Sequence, residues 1–343
     1  PPSMRAFKGE EQFTAAILSM VAPDVPKVYF VTGHGEASLA SGGGPTERSL
    51  AILQDSLKRE NIETEDTTLL GGSVPEDADL LVIVGPTRAY TEAEVQVLDD
   101  YLDAGGRLLL CLDPLIEPGG TMRPTRLEAL LTERGVDVGD DLVVDPSRRL
   151  PFYDLSAVYL TDFPPHPVTQ GLEGIAVLFT VTRSITPQED SAATRLAETS
   201  VDGWGESNLN QLLAGEPVAK DDADTPGPVA VGVALEGSPV APAAESAEED
   251  VSEGDGFRLV VFGDSDFLTD FEISNAGNLT LAMNAVNWLV VREHVLGIAP
   301  RQIEQVSLFL SQQQLRTILL ITLLIMPGAA IVLGVLVWRK RRH

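Results

Sequence analysis

Cysteine is nearly absent from this chain: one residue, Cys111, in 343. No intrachain disulfide can form, and a Cys₄ or Cys₂His₂ zinc site is excluded. Histidine is scarce as well. His34, His166, His294 and His343 show no HxH or HExxH spacing. Basic residues number 24 against 51 acidic ones, a net charge of −27. So negative a chain is repelled by the phosphate backbone, and nucleic acid is excluded as a partner.

Nucleotide signatures are missing too. "FVTGHGEASLASGGGPTERS" (30–49) has the look of a phosphate loop. Gly33-x-Gly35-x-x-Ser38 lacks the third glycine of a dinucleotide fingerprint, however, and the next helical pattern starts too far downstream to place pyrophosphate on a helix N-terminus. "GGGPTERS" has no Gly-Lys-Ser/Thr, so it is no Walker loop. No cofactor is expected. Cys111 sits within "LLLCLDP" as a small apolar strand residue, without the turn that exposes a nucleophile.

What the chain does have is alternation. "KVYFVTG" (27–33), "ADLLVIVGP" (78–86), "RLLLCLDP" (107–114) and "FRLVVFGDSDF" (257–267) are apolar runs with the length of buried strands. "IETEDTTL" (62–69) suits a partly exposed strand. Helical patterns lie between them at 45–60, capped near Thr46, at 91–106, where Thr91 and Glu94 form a capping box, and at 123–135. A further strand is expected at 141–146 and a long helix at 275–294. Continuous apolar strands separated by helices predict an α/β fold, doubly wound around a mostly parallel sheet. The expected layout is a helix and lead-in over 1–26, an α/β domain over 27–299 and a linker over 300–316. An irregular insertion covers about 147–256, with a solvated acidic loop at 241–256.

Several strand ends carry polar residues: His34 and Glu36, then Thr87 and Arg88, then Asp113, then Asp264 and Asp266. In doubly wound folds these ends converge on one rim, where ligands bind. His, Glu and Asp together suit a divalent cation or acid–base hydrolysis. Asp and Gly at strand ends also simply make turns. No spacing marks a catalytic set, so the rim is expected to hold a ligand or partner without being an enzyme. A membrane-tethered hydrolase and an envelope scaffold are the alternatives. Trp204 and Glu206 in "DGWGE" are further rim candidates. Asn284, Asn287 and Trp288 share one face of their helix, and their polar groups are expected to satisfy neighbouring loops.

From Thr317 to Trp338, "TILLITLLIMPGAAIVLGVLVW" carries no charge and exceeds the roughly 20 residues a bilayer crossing needs. Trp338 followed by Arg339, Lys340, Arg341 and Arg342 matches an interfacial anchor and a cytoplasmic tail. Pro327 is expected to kink this span. The bulk of the chain then lies outside the cell membrane. It opens "PPSMRAFKGE", without a basic or apolar leader, so an upstream transmembrane helix or signal is expected.

"FKGEEQFTAAIL", "KVYFVTGHGE", "FPPHPVTQGL", "AETSVDGWGE", "VVFGDSDF" and "LAMNAVNWLV", in that order and followed by an apolar segment ending "VWRKRR", resemble the gliding-motility-type ABC transporter auxiliary family. The resemblance covers about residues 5–342. It implies a membrane-anchored extracytoplasmic subunit with a class I glutaminase-like, flavodoxin-like fold, a substrate-binding role, and an ABC ATPase and permease as partners. His34, Glu36, Trp204, Glu206, Asp264 and Asp266 match its recurrent motifs, and it implies no catalytic residues.

Overall fold

The computed structural model describes residues 25–39, 48–148, 156–237 and 256–290, with short pieces at 320–322, 327–328, 337–339 and 341. Fourteen strands are present among the described residues. They are β1 (Lys27–Val31), β2 (Glu63–Thr67), β3 (Leu80–Val84), β4 (Arg107–Cys111), β5 (Val136–Val138), β6 (Leu142–Val144) and β7 (Val158–Leu160), then β8 (Val177–Phe179), β9 (Ile185–Pro187), β10 (Thr194–Glu198), β11 (Trp204–Glu206), β12 (Thr225–Pro226), β13 (Ala230–Gly237) and β14 (Phe257–Phe262). The α-helices are α1 (Ala51–Arg59), α2 (Glu92–Asp103), α3 (Leu127–Glu133), α4 (Leu209–Leu213) and α5 (Asn278–Leu289).

Seven strands form the central sheet in the order β10-β13-β14-β4-β3-β1-β2. β2, β1, β3, β4 and β14 run parallel, with Val28 opposite Leu80 and Leu110 opposite Val261. That is the flavodoxin-like order, which reverses direction of travel between β1 and β3. β13 and β10 add an antiparallel edge.

Period-two alternation sends each strand's side chains to opposite faces. Val28, Phe30, Val82, Leu109 and Val260 pack with Leu57 of α1 and with Leu281 and Val286 of α5. Tyr29, Val31, Leu81, Ile83 and Leu110 pack against Leu98 and Leu102 of α2 and Leu131 of α3. Each such buried aliphatic side chain contributes roughly 1.5–3 kcal/mol. The exposed edge strand β2 carries Glu63, Glu65 and Asp66, charges that oppose pairing with another chain. The capping box at Thr91 and Glu94 is present and sets the start of α2.

Four expectations need correcting. The helix predicted over 45–60 begins only at Ala51, behind Leu50. Upstream of it the backbone is tied into a bridge: the Ser38 amide donates to the Arg48 carbonyl at 3.0 Å and the Leu50 amide to Ser38 at 2.9 Å. The helix predicted over 123–135 starts at Leu127, because Arg126 adopts a left-handed backbone, φ 73°. The 141–146 strand does not extend the parallel sheet. As β6 it pairs antiparallel with β11 in a separate three-stranded sheet. Two strands from the region expected to be irregular, β10 and β13, instead join the central sheet.

Asn284 does satisfy a neighbouring loop, donating to the Val168 and Gln170 carbonyls at 3.1 and 2.8 Å. Asn287 reaches Glu60 at 2.8 Å. The helix expected within 1–26, Thr46 and most of the acidic loop at 241–256 lie outside the described residues, as do Thr317, Lys340 and Arg342. Among the described residues no helix is long and apolar enough to cross a membrane. Of the apolar run, only 320–322, 327–328 and 337–338 are described.

Candidate functional site

The parallel strands deliver their carboxyl ends to one rim, and two clusters form there. The first fills the crevice between β1 and β3. His34 follows β1, and its Nε2 lies 3.3 Å from Glu94 Oε2 while its Nδ1 lies 3.6 Å from Glu36 Oε1. Its ring stacks on Tyr90 with centroids 4.0 Å apart. Tyr90 donates its hydroxyl to Glu36 at 2.5 Å, and the His34 amide donates to the other Glu36 oxygen at 2.7 Å. Glu94 Oε2 also accepts from the Thr91 amide and hydroxyl at 2.9 and 2.7 Å. Burial pushes the Glu94 carboxyl up, but the Thr91 amide and hydroxyl and the nearby His34 more than offset it, leaving its pKa below the usual range. Burial and the Glu36 carboxylate push the Tyr90 phenol far up, so it remains a donor. His34 Nδ1 and Glu94 Oε1 have no hydrogen-bond partner.

The second cluster joins β1, β3, β4 and β14. Arg48 donates to Asp113 Oδ2 at 2.5 Å, to Ser265 Oγ at 2.8 Å, to the Gly35 carbonyl at 3.3 Å and to the Gly85 carbonyl. Asp113 accepts from the Ser265 amide and hydroxyl at 2.6 and 2.8 Å. Asp264 is fully buried and accepts from the Asp266 and Thr180 amides at 2.8 and 3.0 Å. Burial raises its carboxyl well above the ordinary value, with Asp113 and Asp266 adding to the effect. Asp266 is raised by burial and Asp113, against a counter-pull from Arg48 and Thr180. Gly85 sits at φ 59°, and an added Cβ would run into Ser265, Arg48 and Asp113. A glycine is needed there to let the cluster close.

The sequence model of an ABC-type uncharacterized transport system matches residues 25–285. The chain belongs to that family. It is also 40% identical over 94 residues to the intraflagellar transport protein 52 homolog of Mus musculus, a match spanning 27% of this chain and 20% of that relative. Among solved structures it is similar to the mmIFT52 N-terminal domain (17% identity, 77% of this chain and 96% of that one, TM-score 0.49). A ThuA-like protein from Bacteroides uniformis is also similar (12% identity, 78% and 92%, TM-score 0.41).

In this family member the rim gathers six of the eight sequence candidates: His34, Glu36 and Arg88 at the first cluster, Asp113, Asp264 and Asp266 at the second. Trp204 and Glu206 lie elsewhere, on β11. The Trp204 indole is buried with Leu142, Val144 and Leu209, and it donates to Glu206 at 3.0 Å. Sequence reasoning missed Arg48 and Ser265 altogether, and it saw Glu94 only as a cap. Tyr90, two residues beyond Arg88 in "VGPTRAY", was the available signal for an aromatic at the crevice. Among the described residues, no three of His, Cys, Asp and Glu are arranged to hold a metal ion. Glu36 and Glu94 flank opposite nitrogens of His34 instead of converging. A separate open cleft of about 800 Å³, lined among others by Asp162, Phe163, His166, Thr169, Glu173 and Glu198, shares none of these residues.

The raised Asp266 carboxyl has a signed consequence. A carboxyl easier to protonate in the folded state adds stability below its unfolded pKa, and loses that as pH rises through its folded value. Asp266→Asn stays neutral throughout. Its melting temperature should exceed the parent's at pH 7.5, and the gap should close as the pH falls below the ordinary carboxyl value. Parallel melting curves from pH 4 to 8 test this; equal offsets at every pH would refute it.

Proposed function

We propose that this chain is a non-enzymatic, membrane-anchored auxiliary subunit of an ABC transporter. Its α/β domain stands on the extracytoplasmic side, residues 317–338 cross the membrane, and the basic tail from Arg339 to Arg342 lies in the cytoplasm. The apolar span docks on the permease, and the domain presents its rim to a ligand or partner.

One observation carries the non-enzymatic reading. Where doubly wound folds leave a crevice for a reacting substrate, Arg48 of the chain itself reaches across the ends of four strands. The carboxylates a hydrolase would use are engaged: Asp113 by Arg48 and Ser265, Asp264 by two amides, Glu36 by Tyr90 and the His34 amide. Cys111 is fully buried, and burial raises its thiol far above the range in which it forms a nucleophile. Family membership supports the transport partners. The uncharged run from Thr317 to Trp338 supports the anchor.

The test is purification of the full chain from membranes in mild detergent, with its companions identified by mass spectrometry. An ATPase and a polytopic permease in fixed ratio are expected. A chain recovered alone, or from the soluble fraction, overturns the proposal.

A further inference from the structure

Positive charge is the scarce commodity in this chain, yet three arginines meet at the mouth of the β1/β3 crevice. Arg88 donates to the Gly33 carbonyl at 2.8 Å, Arg123 to the Thr87 carbonyl at 3.5 Å, and Arg126 to the Tyr90 carbonyl at 3.1 Å. Thr87 and Tyr90 are three residues apart, so their carbonyls are separated by at most about 10 Å. The Gly33 loop is pinned to the same turn, because the Thr87 and Arg88 amides both donate to the His34 carbonyl, at 2.9 and 3.0 Å. Three guanidinium groups are therefore anchored on the two loops that border this crevice mouth. All three residues are exposed.

We infer that this opening is a binding site for a phosphate-type oxyanion, held by Arg88, Arg123 and Arg126. A guanidinium carries five N–H donors in a planar fork that matches two oxygens of a phosphate at once. Each backbone carbonyl consumes one donor and fixes a long side chain in place, which removes part of the entropy that anion capture would otherwise lose. Glu117 is the carboxylate engaged here, paired with Arg123 at 2.9 Å. Arg88 and Arg126 meet no carboxylate among the described residues. Space beside Gly33 is open: an added Cβ there would meet no heavy atom within 4 Å. Arg126 also holds a left-handed backbone that favours glycine. Retaining arginine there places its fork over the Tyr90 carbonyl.

A competing account gives the arginines a purely internal task, balancing the buried Glu36 and Glu94. The two accounts separate experimentally. Full-length chain in a neutral detergent is titrated calorimetrically, at fixed ionic strength, with inorganic phosphate and in parallel with glycerol 3-phosphate, the phosphate-bearing fragment of a lipid headgroup. Saturable binding is expected for at least one of them. Arg88→Ala and Arg126→Ala should each weaken it at least tenfold, while Arg195→Ala on β10 should leave it unchanged. Tighter binding of glycerol 3-phosphate assigns the anion to a headgroup, and tighter binding of inorganic phosphate to a free ligand. Melting curves establish that the variants fold. No saturable binding overturns the inference. So does binding that survives in both variants, or variants that lose only stability. The site does not depend on permease docking, so isolation of the transporter complex passes or fails independently.

Discussion

Gly263→Ala should abolish the native fold, or lower the unfolding free energy by more than about 3 kcal/mol in urea titration. The glycine ends β14, where the segment before β9 passes over the sheet. The Arg183 amide donates to the Gly263 carbonyl at 3.0 Å, and the Gly263 amide donates to Val231 at 2.9 Å. An added Cβ would overlap the Arg183 carbonyl oxygen, a backbone atom that cannot rotate away. Moving it would pull on Arg183 itself, a fully buried guanidinium bound to the Gly139 carbonyl at 2.7 Å and to Asp140 at 2.9 Å. Gly71→Ala is the control. It meets nothing within 4 Å and should change stability by less than about 0.5 kcal/mol. Equal tolerance of the two substitutions would show that the 182–184 crossing is loose.

Arg48→Ala should lower stability by about 2–4 kcal/mol, since removing one member of a largely buried ion pair strands the other. The Arg48 side chain is 25% exposed and that of Asp113 17%. The stranded charge would sit beside Asp264 and Asp266 with its cation gone. Arg48→Lys should recover part of the loss, because a lysine restores charge without the fork that spans Asp113, Ser265 and two carbonyls. Arg48→Ala combined with Asp113→Asn should cost less than the two single changes summed, by at least about 1 kcal/mol. Additive single effects, or an Arg48→Ala loss below about 0.5 kcal/mol, would reduce the contact to an ordinary surface pair. The reading of the crevice as filled by the chain's own cation would then fail.

The parallel core was legible because each strand is a continuous apolar run, and a run buried on both faces needs no partner to be recognised. Helix α2 was legible because Thr91 and Glu94 are three residues apart, so its start is a local event. The second cluster was not legible, because its bonds are long-range. Arg48 meets Ser265 across 217 residues, and Ser49 meets Asp270 across 221. Those contacts also explain the misplaced helix start: "PTERS" has local capping chemistry, but Arg48 and Ser49 are drawn into the bridge with Ser38. Trp204 misled for a related reason. Glycines on either side suggest a loop, while its strand partners, Leu142 to Val144, lie far upstream. Six rim residues could be placed from strand ends alone. What bonds each one could not be, since that depends on which strands become neighbours.

The position of β14 sets a timetable for the nascent chain. It is the last of the described strands to be made, yet it lies between β4 and β13 in the finished sheet. Until it emerges, β4 presents an unpaired apolar edge, and Asp113 waits for Ser265 across 152 residues. At about 5–20 residues per second of synthesis that interval lasts roughly 8–30 s, long against the microseconds to milliseconds of local folding. Throughout it the half-made sheet is open to pairing with other chains. A holding chaperone that shields β4 in this interval would therefore raise the yield of folded protein, whereas one acting after release would come too late.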